Sequence, residues 1–128
     1  MERHYVTFER AKLFKELGFD EPCNRFYNNN GDISDLLEPE DIKYFSNKRA
    51  DVQQTFACMA PEHWQVIEWL RINHSIWISV EPNVPYTDND WCFKIFENYR
   101  LELSLEGYNS PQEAYSAAFD FIINSNLI

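Results

Sequence analysis

Glycine and long apolar runs are both scarce in this chain. Only three of its 128 residues are glycine, and they stand far apart. A phosphate-binding loop needs several glycines in one short stretch, so the sequence predicts no such loop. No segment approaches the roughly 18 apolar residues of a membrane span, and the opening "MERHYVTFERAK" lacks the apolar core of a signal peptide. We therefore expect a cytoplasmic protein with no membrane partner.

Cysteine and histidine are equally few. Cys23, Cys58 and Cys92 are odd in number and form no Cys-x-x-Cys pair, which favours buried free thiols over a disulfide framework or a zinc site. His63 and His74 lie on one predicted helix, where eleven residues at about 1.5 Å each separate them by roughly 16 Å, too far to share an ion. We expect no metal, no cofactor and no catalytic residues, and hence no enzyme.

Positive charge is the third deficit. The chain holds 11 Lys and Arg against 21 Asp and Glu, a net charge of −10, and residues 61–128 hold only 3 against 10. Nucleic-acid binding by counterion release needs the opposite sign, so no direct nucleic-acid binding is expected. An acidic balance instead gives solubility, a surface for a basic partner, or an imitation of DNA.

Apolar and aromatic residues are abundant. They make up 45% and 16% of the chain, which is enough for a folded core, and the length fits a single domain over 1–128. Helical spacing predicts a first helix over 8–17. Strands are predicted over 23–27 and 52–59, and they pair as a hairpin that an acidic excursion at 32–51 interrupts.

The second half has clearer periodicity. A helix is predicted over 61–73, strands over 76–81, 91–97 and 101–106, and a last helix that Ser110, Pro111 and Glu113 begin with a capping box. The predicted fold class is therefore α+β: a helix, an interrupted β-hairpin, a helix, a three-stranded antiparallel meander and a C-terminal helix, with helices on one face of the sheet.

The register of the last two strands follows from parity. Residues that lie opposite each other on paired strands have side chains on the same face. Pairing Ile95 with Leu103 and Phe93 with Leu105 therefore requires a loop with an odd number of residues, which we place at Asn98–Tyr99–Arg100. The face predicted to lie under the helices includes Trp91, Phe93, Ile95, Leu101, Leu103 and Leu105.

The remaining surface offers a binding site. Trp64, Glu68 and Arg71 project from the outer side of the second helix, away from the predicted buried arc of Val66, Trp69 and Leu70. Trp77 and Phe96 lie on the uncovered face of the sheet. These residue types include the Trp and Arg typical of binding hot spots. The predicted partner-binding residues are Trp64, Glu68, Arg71, Trp77 and Phe96, with Tyr86 and Tyr99 as further aromatic surface.

Three blocks, "YVTFERAKLFKELGFD", "MAPEHWQVIEWLRINHSIWISV" and "YNSPQEAYSAAFDFIINSNLI", resemble a family of small uncharacterised proteins of Bacteroidetes and their phages or mobile elements. The three blocks together cover about sixty residues. The resemblance assigns no catalytic residue. Residues 61–128, ending in "SPQEAYSAAFDFI", also resemble the double-stranded-RNA-binding domain in topology. That domain's lysines at the start of the last helix are missing, and Glu113 stands there instead.

We accordingly expect a protein of phage or mobile-element origin that binds a protein partner through an aromatic surface in an acidic field. Two alternatives stay open. An acidic DNA mimic or inhibitor would carry the carboxylates of 81–113 in a regular surface row. A small enzyme or ligand-binding domain would bring a histidine and a carboxylate or thiol together in a deep pocket. No oligomeric state is predicted from the sequence.

Overall fold

A computed structural model gives the fold of most of the chain. The chain divides into two compact units, Met1–Val66 and Ile67–Ile128. The single domain expected from chain length stays a prediction, and each unit is described by itself. The predictions that concern Tyr86, most of the excursion 32–51 and the start of the returning strand lie outside the described residues, which are 4–35, 46–47, 56–83 and 90–128.

The first unit opens with helix α1, Phe8–Glu16, which agrees with the prediction for 8–17. Ala11 and Phe14 are its buried residues. Gly18 follows the C-cap with a φ of 104°, a left-handed conformation that costs glycine little because it has no Cβ. The Phe19 amide donates to the Phe14 carbonyl at 2.9 Å and closes the helix end.

The sheet of the first unit has three antiparallel strands, β1 (Arg25–Asn28), β2 (Ile33–Asp35) and β3 (Phe56–Met59), in the order β2-β1-β3. The pairing of β1 with β3 confirms the interrupted hairpin. Strand β2 was not predicted, because its three residues are too few to give an alternating pattern. In the turn that leads from β1 to β2, the Asn28 side-chain oxygen accepts hydrogen bonds from the backbone amides of Asn30 and Asp32, at 2.9 and 3.1 Å.

Asn47, within the excursion, is tied to the core of this unit. It is 4% exposed, and its side-chain amide donates to the Phe19 carbonyl at 2.6 Å while its oxygen accepts from the Met59 amide at 2.8 Å. A buried side-chain amide is stable only when its hydrogen bonds are made, and here one bond of each kind is present. This part of the excursion therefore belongs to the folded unit.

Helix α2 spans His63–His74, two residues later than the predicted start. Glu62, just before it, donates its backbone N–H to the Gln65 side-chain oxygen at 2.9 Å. Trp64 is exposed, as the helical spacing predicted. The prediction of the buried arc is confirmed as well, with low exposure at Val66, Trp69 and Leu70.

The second unit contains the predicted meander, β4 (Ile76–Pro82), β5 (Trp91–Glu97) and β6 (Arg100–Tyr108), paired antiparallel in the order β4-β5-β6. Ile95 lies opposite Ile78 on one side and Leu103 on the other. Phe93 lies opposite Leu105. The register that parity predicted is therefore confirmed.

The predicted three-residue loop is wrong. Glu97 pairs with Arg100, so only Asn98 and Tyr99 form the turn, with φ of 51° and 69°. These positive values are those of a type I′ hairpin turn, whose twist matches that of the strands. The predicted pairs still form because Glu102 is a β-bulge. It has no partner between the pairs Phe96–Leu101 and Ile95–Leu103, so it replaces the third loop residue in the count.

The bulge also corrects the face assigned to Leu101. The sequence pattern placed Leu101 with Leu103 under the helices, because both are odd-numbered residues of one strand. The extra residue between their pairing positions puts Leu101 opposite Phe96 instead, and its side chain is 55% exposed. Leu101 therefore joins the uncovered face of the sheet.

Helix α3, Pro111–Asn124, lies over the other face of the meander and contacts all three strands, but Leu105 on the edge strand β6, which was predicted to lie under the helices, is 45% exposed. Ser110 caps it by accepting from the Glu113 amide at 3.1 Å, as predicted. The Glu113 carboxylate accepts from the Asn109 amide at 3.0 Å, one residue before the position expected in a capping box. The buried residues of this helix are Ala114, Ala118, Phe119 and Ile122.

Candidate functional site

Glu68 and Arg71 form an ion pair on the outer side of α2. The Arg71 guanidinium donates to both carboxylate oxygens of Glu68, at 2.7 and 3.2 Å. These hydrogen bonds lower the pKa of Glu68 and raise the pKa of Arg71. The pair is solvent-exposed and stabilises the unit little, but it holds the guanidinium in one place.

The guanidinium also reaches the sheet. Its central carbon lies 5.3 Å from the ring centroid of Trp77 on β4, within the range of a cation–π contact. Trp77 is 45% exposed in spite of this contact. Three of the predicted binding residues, Glu68, Arg71 and Trp77, are therefore brought together on one surface of the second unit.

Trp77 begins an apolar row that crosses all three strands. It pairs with Phe96 on β5, and Phe96 pairs with Leu101 on β6. We call this row, together with Tyr99 of the adjoining turn, the open face. Trp77, Phe96 and Tyr99 line a hollow of about 310 Å³ in it. The sequence prediction included both Trp77 and Phe96, and the structure places them side by side.

The hollow depends on the turn after β5. Tyr99 occupies the second central position of the turn, has a left-handed backbone and is 89% exposed. A three-residue loop of another shape would place this ring differently. The aromatic side chain at that position is thus one wall of the hollow rather than part of the core.

The next row of the same sheet face is polar. Ser79, Lys94 and Ser104 form the neighbouring row. Lys94 lies 3.0 Å from the carboxylate of Glu81, and this ion pair raises the pKa of Lys94. The open face is therefore a confined apolar area with a polar border along the strands.

Trp64 is not part of the open face. It belongs to the first unit, is 58% exposed, and its indole N–H donates to the Glu62 carboxylate at 3.1 Å. Its assignment as a partner-binding residue stays a prediction. Leu101 was missed as a site residue because strand alternation alone assigns it to the covered face. No sequence signal marked the bulge, because the prediction assumed a three-residue loop and the two-residue turn is seen only in the structure.

The thiols are poor nucleophiles. Burial raises the pKa of Cys23 to about 12 and that of Cys58 to about 11. Burial also raises the pKa of Cys92, with a smaller contribution from the Glu81 carboxylate. All three are free and buried, as predicted, and none lines the hollow. Since the thiolate is the reactive form, this arrangement does not favour thiol chemistry.

The two histidines of α2 are packed against other side chains. His63 is 9% exposed, and its burial, with the nearby His4 and Arg10, lowers its pKa to about 4. His74 packs edge-on against Trp69, with ring centroids 4.8 Å apart. Over the described ranges, no three His, Cys, Asp or Glu residues group as metal ligands would, and no helix is long and apolar enough to span a bilayer.

Comparisons with known proteins add no relative. No family model matches the chain, and the searches of curated proteins and of solved structures returned no match. The resemblances drawn from the sequence blocks therefore stay predictions. The candidate site is defined by its geometry: an exposed aromatic row, a hollow, and one guanidinium held over a ring.

Proposed function

We propose that this protein is a binding module without catalytic activity, and that it docks a protein partner through the open face. The observation that carries the proposal is the apolar row of Trp77, Phe96 and Leu101, which crosses three strands beside a hollow, with Trp77 and Leu101 exposed and Phe96 half-buried. Folded chains bury most such rows under a helix, as α3 does on the other side of this sheet. An exposed apolar patch with a polar border is typical of an interaction site.

The composition of the open face supports protein binding. Trp, Tyr and Arg are the residues that most often supply binding energy at protein interfaces, and here all three types lie in or beside the patch. Each Å² of apolar surface removed from water contributes about 25 cal/mol, so even a small docked segment gains from covering two aromatic rings. The rigid strands present these rings at little entropic cost.

The rival functions have less support. A small enzyme would need a histidine and a carboxylate or thiol together in a pocket, whereas Trp77, Phe96 and Tyr99 line the hollow. A DNA mimic would need free carboxylates in a row. Instead Glu81 pairs with Lys94, while Asp90 and Glu106 both accept from the Asn83 side chain at 2.9 Å. We keep the origin from a phage or mobile element, and the cytoplasmic location, as parts of the proposal.

A comparative capture experiment tests the proposal. The wild-type protein, a Trp77→Ser, Leu101→Ser double variant and an Ile72→Ser control are immobilised and incubated with lysate of the source organism. Ile72 is a matched control because it is 66% exposed in the same unit but lies outside the open face. Circular dichroism and thermal unfolding establish that all three are folded.

We expect a protein that wild type and Ile72→Ser retain and the double variant loses. A purified complex with that protein should then show slowed amide exchange at Phe96 and Tyr99. Equal capture by all three forms, or no capture by the wild type, would contradict the proposal.

A further inference from the structure

The hollow in the open face indicates which part of a partner it receives. This inference rests on the proposed function and makes it more specific. We propose that the hollow binds the cationic end of a lysine or arginine side chain, presented by a basic segment of the protein partner. Three independent features of the second unit support this assignment: the lining of the hollow, the cation already bound to Trp77, and the charge around it.

The lining is aromatic. Trp77, Phe96 and Tyr99 are the residues around the hollow, so π-faces or ring edges form its walls. A cation within about 6 Å of a ring centroid is attracted by the ring quadrupole, and tryptophan gives the strongest attraction. At about 310 Å³ the hollow lies at the lower end of the range for small-molecule sites, roughly 300–1,000 Å³, which suits one side chain better than a larger ligand.

Trp77 already binds a cation within the chain. The Arg71 guanidinium lies 5.3 Å from its ring centroid. Arg71 is absent from the lining of the hollow, so it does not occupy the space where a second cation would enter. Its charge is balanced by Glu68 at 2.7 Å, which limits the repulsion that it would exert on an incoming lysine or arginine.

The surrounding charge is negative. Residues 67–128 hold three Lys and Arg against nine Asp and Glu. Arg71 and Lys94 are both held in ion pairs, with Glu68 and Glu81, and the third cation, Arg100, lies opposite Glu97 on the neighbouring strand. Glu97 and Glu102 follow Phe96 and Leu101 directly in the chain, and within the described part of the structure neither has an ion pair. A positive segment is therefore drawn toward this end of the sheet, whereas an acidic one is repelled.

Three capped tripeptides, glycine-X-glycine with lysine, arginine or norleucine at X, test the charge requirement. Norleucine has the same unbranched alkyl chain as lysine without the ammonium. Each peptide is titrated into the full chain, and the backbone amide signals of Phe96 and Tyr99 are followed by NMR. We expect the lysine and arginine peptides to bind about two- to fivefold more tightly than the norleucine peptide, and added salt to reduce this difference.

Two variants test whether binding needs the aromatic ring of Trp77 or only an apolar side chain at that position. Trp77→Leu keeps an apolar side chain but removes the π-face, so binding of the cationic peptides should fall to the norleucine level. Ile72→Ala is the control, since it truncates an exposed apolar side chain of the same unit that lies outside the open face, and it should change none of the affinities.

Norleucine binding as tight as lysine binding would overturn the cation assignment, and so would the absence of a shift with every peptide. Either result leaves the proposed function to its own test, because the capture experiment removes the apolar side chains of both Trp77 and Leu101 and does not depend on the charge of the partner.

Discussion

The two faces of the meander are built from the same three strands, yet they differ in what covers them. Phe93 and Ile95 on one face are 1% and 0% exposed beneath helix α3. Trp77 and Leu101 on the other face are 45% and 55% exposed. Both faces carry large apolar side chains, so hydrophobicity alone does not distinguish core from surface.

The difference indicates a division of roles. Apolar area removed from water on the covered face stabilises the fold, and any loss there leaves a cavity. The apolar row on the open face is already half in contact with water, so it contributes less to stability and remains available to another molecule. Substitutions on the two faces should therefore affect different measurements.

The largest effect is expected from Ile95→Ala. This side chain is fully buried, and truncating a buried isoleucine costs about 2–5 kcal/mol of unfolding free energy. The matched substitution Leu101→Ala, on the open face, should cost less than about 1 kcal/mol. Urea unfolding of both variants measures the difference. Similar losses from the two substitutions would mean that the two faces do not differ as described.

A smaller effect is expected from Ser110→Ala, which removes the N-cap of the helix over the covered face. The Glu113 amide loses its acceptor, and such a loss costs about 1 kcal/mol. Ser116→Ala, inside the same helix, is the control and should be neutral or slightly stabilising because alanine favours helix. Thermal unfolding compares the two. An unchanged midpoint for Ser110→Ala would argue against the cap.

Deletion of Glu102 should cost less than loss of the cap, because no buried side chain is removed. The bulge disappears, while the pairs Phe96–Leu101 and Ile95–Leu103 are retained in a regular ladder. Cross-strand nuclear Overhauser effects between these pairs provide the measurement. The matched control is deletion of Leu103, which keeps the same number of residues in the ladder but places Glu102 opposite Ile95 on the covered face, and it should strongly destabilise the unit. Loss of the Phe96–Leu101 pairing in the Glu102 deletion would contradict the assignment of the bulged residue.

The smallest effect on stability is expected from Lys94→Met, in the polar row that borders the open face. Its ion pair with Glu81 joins two side chains that are 39% and 48% exposed. Such surface pairs contribute about 0–1 kcal/mol, and the contribution shrinks as salt is added. The free energy of unfolding at low and high salt is the test. A loss as large as that of Ile95→Ala would place this row in the core.

Local signals predicted much of the fold. Gly18 marked the end of α1, Ser110 marked the start of α3, and parity fixed Ile95 opposite Leu103. The bulge at Glu102 was not predicted, since strand alternation assumes an unbroken ladder. Strand β2 was missed for a related reason: its three residues depend on pairing with β1, and pairing between strands is not encoded in local periodicity.

The candidate site was predicted in part. Helical spacing placed Glu68 and Arg71 outward, and strand alternation placed Trp77 and Phe96 on the uncovered face. Their convergence into one surface depends on the register between strands and on the reach of the Arg71 side chain. Neither can be derived from a pattern within one element.

The backbone of Tyr99 has a consequence for evolution and engineering. A non-glycine residue with a φ of 69° is strained by roughly 1–2 kcal/mol, and an Asn-Gly turn would relieve that strain. Mutants selected only for thermal tolerance should therefore acquire glycine at this position. They would also lose one wall of the hollow, so a library screened for heat resistance would lose part of the surface at which we propose that a partner binds.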